Sequence, residues 1–329
     1  MPDTAPAARP RRRRLLAQRH PYLLTVLVFV ALCAINTALQ PTFLLPSVAV
    51  SNLSSFLPMT LVAIGQTYVI LGADIDLSIG TIVSLVNVIA ATIIDSMGGT
   101  ALSIVLGLTA GLAAGLLAGL LNGLCVAKLR FQPIVTTFAT GVVFAGLALW
   151  VLPQAGGQVP PAFYEAYAGG VLGIPTVVWV LLGGIGFGLL VRRRRFYHAL
   201  RATGGNIQAA YQTGLPVARV RITAYVIAGF FAAVTGLVLV GETASGDPLV
   251  GASLTMSSIS AVVLGGTALS GCAGSFAGSI LGAFVLGLIN NVIFFAQMPF
   301  EWQGLVQGLI ILAALSGGVM MARGRSERS

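Results

Sequence analysis

The sequence predicts an all-α polytopic membrane protein with about ten transmembrane helices and with both termini cytoplasmic. Three observations carry that reading. The chain of 329 residues is 57% hydrophobic and only 8% charged, with a mean hydropathy of +0.95. Its apolar residues fall in continuous runs of about the 20 residues a helix needs to cross a bilayer, not in the alternation a barrel strand would show. The 18 basic residues sit in four groups that one threading places on a single side. Its 41 glycines suit such a chain, because small residues let membrane helices approach closely.

Each span follows in order, with ends good to a few residues. Span 1 is about Tyr22–Leu39, leaving the cytoplasm, and span 2 is about Ser51–Leu71, returning. Span 3 is about Ile79–Ile94, with Asp95 outside, and span 4 is about Ala101–Ala127, ending at Lys128 inside. Span 5 is about Ile134–Leu152, followed by an outer loop with Pro160, Pro161 and Glu165. Span 6 is about Ile174–Val191, stopped by four arginines. Span 7 is about Ile222–Val240, span 8 about Leu254–Leu269, span 9 about Phe276–Phe295 and span 10 about Leu305–Met321. This threading puts every basic residue inside and five of the nine acids outside. The basic groups are therefore read as cytoplasmic anchors, not as a nucleic-acid surface. "RRRRLLAQR" before the first run is read as the flank of an uncleaved first helix. Cys33, Cys125 and Cys272 lack metal-ligand spacing and are read as packing residues.

Two inner turns carry no lysine or arginine: "GADIDLS" between spans 2 and 3, and "GGTALSGCAGS" between spans 8 and 9. Each follows a similar phrase, "VILG" and "VVLG", a weak internal echo. Non-helical backbone at membrane depth is tolerated only under cover of protein or water.

The first turn holds Asp74 and Asp76. A calcium loop is excluded, because Ile79 and Leu85 stand where glycine and glutamate are required. No catalytic residue is assigned, since neither His20 nor His198 is near in sequence, and no metal ligand set is found. Asp76 and Ser78 precede an apolar helix, so capping is the structural reading of Asp76, compatible with a polar site on the solute path. Asp74 is left either exposed at the inner mouth or paired with a backbone group. Asn122, Thr136, Thr137 and Asn290 are further candidates for the path, or equally for bonds to neighbouring helices. Pro133 is read as starting span 5, Phe144 as a wall residue or interfacial anchor, and Trp150 as an anchor at the outer face.

The longest inner loop reads "FYHALRATGGNIQAAYQTGLPV". Gly204–Gly205–Asn206 signals a turn, "NIQAAYQT" a short helix capped by Asn206, and Gly214 its end. A capped helix at the cytoplasmic face offers a handle to a soluble partner.

This loop resembles the coupling-loop motif of bacterial ABC-importer permeases, in the ribose/sugar branch of the branched-chain amino-acid permease superfamily. "TYVILGADIDLSIGTIVSL", "LLNGLCVAKLRFQPIVTTFAT" and "AVVLGGTALSGCAGSFAGSILGAFVLGLINN" resemble three further landmarks of that family, in its order. Asp76 matches the motif, whereas Ala73–Asp74 departs from its usual Gly-Gly or Ala-Gly. The resemblance implies a permease domain over residues 21–322, a basic cytoplasmic tail over 1–20 and another over 323–329. Residues 196–221 would form the cytoplasmic coupling loop, with Gly204, Gly205, Asn206, Ala209, Ala210 and Gly214 contacting an ATPase. It also implies a monosaccharide as solute, the bacterial inner membrane as location, and a second permease copy or paralogue. A periplasmic sugar-binding protein and cytoplasmic ABC ATPase subunits holding ATP and Mg would complete the assembly. The chain has one lysine, Lys128, with no glycine before it, so it lacks the phosphate-cradling Gly-Lys-Ser/Thr and would bind no cofactor itself. The competing reading is a proton- or cation-coupled transporter or channel using Asp74 and Asp76.

Overall fold

The computed structural model describes residues 23–299, 301–306, 308–309 and 312. The two basic tails and most of span 10 lie outside these residues. The helices are α1 (Leu23–Leu39), α2 (Pro46–Leu71), α3 (Ile79–Ser96), α4 (Ala101–Ala127) and α5 (Pro133–Val151), then the short α6 (Pro161–Ala168). A hairpin of β1 (Gly170–Val171) and β2 (Ile174–Pro175) leads into α7 (Thr176–Arg192). After it come α8 (Arg195–Gly205), α9 (Ile207–Gln212), α10 (Val217–Thr243), α11 (Leu254–Leu264) and α12 (Phe276–Phe295). Among the described residues six helices are long and apolar enough to cross a membrane, or seven if α7 and α8, bent by 74° at Arg193–Arg194, form one broken span. The chain is thus an all-α multi-pass membrane protein.

Helices α2, α3 and α10 form the interior. Tyr68, Ile82, Tyr225 and Phe231 are almost wholly buried there. Helix α4 joins them through a seam of Gly107, Gly111, Gly115, Gly119 and Gly123, one glycine per turn on its buried face. At Gly119 an added Cβ would strike the Tyr225 carbonyl, so α4 and α10 meet backbone to backbone. The outer faces of α4 and α5 expose Leu117, Leu121, Val135, Phe138 and Val142, the apolar surface a lipid-facing wall requires.

Span 8 is not the continuous helix expected over 254–269. Helix α11 has 11 residues, about 16 Å at 1.5 Å per residue, roughly half a bilayer core. The preceding backbone occupies the rest. Ala244 turns left-handed (φ 53°) after α10, and the chain then runs back beside α3 in successive turns, with Ala252 N–H donating to Leu249 O (3.0 Å) and Leu254 N–H to Gly251 O (3.0 Å), not in a continuous α-helix. Two of its N–H groups find side chains of α3: Asp247 donates to Asn87 Oδ1 (2.7 Å) and Gly251 to Ser84 Oγ (2.9 Å). Gly80 of α3 donates in turn to Thr255 Oγ1 (3.1 Å). Gly246 pairs antiparallel with Gly156 of the loop after α5. The stretch is unwound but covered. Ser84 and Asn87, one turn apart in the apolar middle of α3, are the sequence signal for it, one that sequence reasoning missed.

The echo between the two uncharged turns is also visible in the backbone. Helices α2 and α11 end alike: Ala73 and Gly266 are left-handed (φ 64° and 81°), at matching places after Gly72 and Gly265. Asp74 N–H reaches back to Val69 O (3.2 Å) as Thr267 N–H does to Val262 O (3.1 Å), a Schellman-type ending at both. The ends then meet, since Cys272 N–H donates to Leu71 O (3.1 Å).

Removing a partner from the unwound stretch tests its cover. Asn87→Ala strands the Asp247 N–H and should cost about 1–3 kcal/mol of stability. Thr109→Ala, whose hydroxyl bonds only its own helix on an exposed face, serves as control. Thermal unfolding in detergent should show a lower midpoint for Asn87→Ala alone; equal midpoints would remove Asn87 from this role.

Candidate translocation and coupling site

The turn over residues 72–78 collects the polar groups. Asp76 is fully buried, and its Oδ1 accepts both the N–H (2.8 Å) and the hydroxyl (2.6 Å) of Ser78. Ser78 Oγ accepts from Asn122 Nδ2 (2.7 Å), and Asn122 Oδ1 accepts from Thr140 Oγ1 (2.7 Å). Gln66 Nε2 donates to the Asp76 carbonyl (3.3 Å). A continuous chain of polar side chains thus runs from the start of α3 through α4 to α5. Thr140 also reaches the edge of a mostly apolar groove of about 400 Å³ between α4 and α5, lined with it by Cys125, Phe131, Gln132, Val135, Thr136 and Ala139.

The capping expectation for Asp76 needs correction. Its carboxylate serves Ser78, which flanks the helix, not a free N–H of the first turn, and the Ser78 side chain makes no cap bond. The hydroxyl faces the carboxylate because a buried acceptor binds the nearest donor. Asp76 Oδ2, Gln66 Oε1 and Tyr225 OH are buried without a partner among the described residues.

Asp74 is neither exposed nor held by backbone, as had been expected. It is almost fully buried and takes a two-pronged bond from Arg221, with Nε to Oδ2 at 2.9 Å and Nη2 to Oδ1 at 2.7 Å. The sequence places Arg221 among the loop cations, yet α10 begins at Val217, so Arg221 lies in its second turn. The planar fork of arginine matches a carboxylate's two oxygens. Both acids lie in the connection outside the spanning helices. Burial pushes both carboxyls up, opposed at Asp74 by Arg221 and at Asp76 by the Ser78 bonds.

The coupling candidates approach the same turn. Gly204 is buried against Leu71 O, where any Cβ would collide. Arg201 Nε donates to Cys272 O at 2.8 Å. Gly204–Gly205, read as a turn, in fact form the last residues of α8, because Gly204 must pack backbone to backbone there. Asn206 caps α9 as expected, its Oδ1 accepting from Ala209 N–H (3.0 Å). Ala210 is buried, Gly205 and Ala209 are exposed, and Gly214 ends the unit at φ 79°. Ile207 and Tyr211 stand exposed on α9.

The remaining candidates divide. Thr137 joins the site, its Oγ1 accepting from Leu77 N–H (3.0 Å). Thr136 bonds Gln132 O of its own helix (2.8 Å) and reaches only the groove. Asn290 is not brought to Asp76. It lies 14 residues into α12, about 21 Å from the turns, in a separate groove with Asn291 and Gln303. Phe144 is buried in the core, and Trp150 is exposed at the far end of α5. Gln66, Thr140, Arg201 and Arg221 are site residues that sequence reasoning missed. Only the period-four spacing of Thr136 and Thr140 could have pointed to one of them.

Breaking the ion pair separates its parts. Asp74→Leu or Arg221→Leu alone leaves a buried charge and should cost about 3–5 kcal/mol. The double variant should recover most of that. Unfolding midpoints of the three proteins check it, and a double variant as unstable as the sum of the singles would contradict the pairing.

The comparisons agree with this architecture. A family profile described as "Branched-chain amino acid transport system / permease component" matches residues 48–315. The chain is 37% identical over 297 residues to the ribose import permease protein of Bacillus subtilis, covering 86% of this chain and 88% of that protein. It is 32% identical over 294 residues to the L-arabinose ABC transporter permease protein of Azospirillum brasilense, covering 88% and 85%. It is 30% identical over 305 residues to the ribose import permease protein of Escherichia coli K12, covering 88% and 91%. No solved structure gives a significant match. With a profile match over most of its length and relatives aligned nearly end to end, the chain belongs to the family of permease components of branched-chain amino acid transport systems.

Proposed function

We propose that the chain is the transmembrane permease subunit of an ATP-binding-cassette importer in the bacterial inner membrane. Its solute is a monosaccharide, a ribose-like pentose, a hexose or a related small polar molecule. The chain is a transport subunit and not an enzyme: ATP and Mg bind a separate cytoplasmic ATPase. A periplasmic binding protein delivers the sugar, and a second permease copy or paralogue completes the path. Relatives named as ribose and arabinose permeases support the solute class.

The observation that carries the mechanism is the lock between α8 and the two inner turns. Helix α9 offers Ile207, Ala209 and Tyr211 at the surface. A push on it reaches Leu71 through Gly204, Cys272 through Arg201, and Asp74 through the base of α10 and Arg221. All three bear on the turn that holds Asp76, Ser78 and Asn122. In this reading ATPase motion at α9 shifts those polar groups, which exchange bonds with the sugar's hydroxyls. The competing ion-coupled reading loses Asp74, whose charge is already paired with Arg221.

Two experiments test this. In proteoliposomes the assembled importer should accumulate sugar only with ATP; the chain alone under a proton or sodium gradient should not. Gradient-driven accumulation by the chain alone would overturn the proposal. Ala209→Trp should leave ATP hydrolysis in the assembled complex while uptake falls by about tenfold or more, a coupling loss of ~1.4 kcal/mol. Unaltered uptake would remove α9 as the docking element.

A further inference from the structure

We propose that the β1–β2 hairpin is an interfacial lipid anchor, whose tip at Leu172 sits in the headgroup region beside the start of α7. The hairpin lies at the end of the molecule opposite the inner turns. Its strands pair Gly170 with Pro175 and Val171 with Ile174. Leu172 and Gly173 form the two-residue turn, both left-handed at φ 57° and 76°. Such turns favour asparagine or glycine, because a Cβ is crowded there. Leucine is therefore unfavourable to the backbone, and at 88% exposure it would be unfavourable in water as well. An apolar medium at the tip resolves the second conflict.

The neighbouring residues identify that medium. Trp179 Nε1 donates to Val171 O (3.1 Å), which pins the hairpin level with the first turn of α7. A hairpin held there reaches the depth at which α7 enters the bilayer. Trp179 is itself partly exposed, and Trp150, 80% exposed, closes α5 at the same end. Indole rings prefer the membrane interface, where the ring meets apolar chains and the N–H meets a polar group. No charged residue occurs between Glu165 and Arg192. The exposed Val171, Leu172 and Ile174 are thus continuous with the apolar wall of α7 that exposes Leu182. A docking protein would not require the tip to be pinned at that depth.

The test places an environment-sensitive nitrobenzoxadiazole label at Leu172→Cys, with Cys33, Cys125 and Cys272 changed to serine, in proteoliposomes of phosphatidylethanolamine and phosphatidylglycerol. The expected result is blue-shifted emission, quenching by lipids with a nitroxide near the headgroup, and resistance to aqueous iodide. Glu165→Cys, exposed on α6, gives the water-facing reference in the same background and should be quenched by iodide. Emission at 172 that matches position 165 would overturn the anchor. So would protection from iodide that appears only when the sugar-binding protein is added, which would assign the tip to a protein partner. Uptake measured on the same vesicles reports separately on the transport reading.

Discussion

Hydrocarbon holds no water to satisfy an unpaired N–H or C=O, and the rest of this structure follows from that constraint. It explains why most of the chain is helix. It explains equally where the chain is not helix. Residues 244–253 can leave the α-helix beside α3 because Asn87 and Ser84 take the N–H groups of Asp247 and Gly251, while local turns take those of Val250 and Ala252. The turns at 72–78 and 265–275 can be free of lysine and arginine at their positions because each is covered by the other and by α8.

The same constraint governs charge. A carboxylate buried by itself is costly, so each of the two acids in the first turn is matched to a donor set. Asp74 takes the guanidinium of Arg221, and Asp76 takes both donors of Ser78. The two solutions have different consequences. The ion pair ties the turn to the base of α10, whereas the Ser78–Asn122–Thr140 chain leads from the turn towards an open groove. Asp76 keeps one oxygen unpartnered among the described residues.

Much of this was legible beforehand. Spans 1 to 7 and span 9 appear as helices near their expected bounds, because long apolar runs are local signals. The cap at Asn206 was legible for the same reason: an Asx residue before a short helix acts within three residues. Span 8 was misjudged because 254–269 reads as apolar whether or not it is coiled, and the partners that unwind the chain before it come from a different helix. Gly204–Gly205 was misjudged as a turn because the need for glycine there is set by Leu71, over a hundred residues away.

The sequence by itself determined the class, the membrane-embedded helices, the turn that would hold the two acids and the inner loop that would carry the capped helix. These rest on composition and on interactions spanning a few residues. Tertiary structure alone decided which partner each buried group received: Arg221 for Asp74, Asn122 for Ser78, Asn87 for the unwound backbone, and Leu71 for the close approach of Gly204. Pairings across 147 or 160 residues leave no periodicity to read. They exist because burial makes an unpaired polar group costly, and only the folded chain determines which donor or acceptor lies within reach.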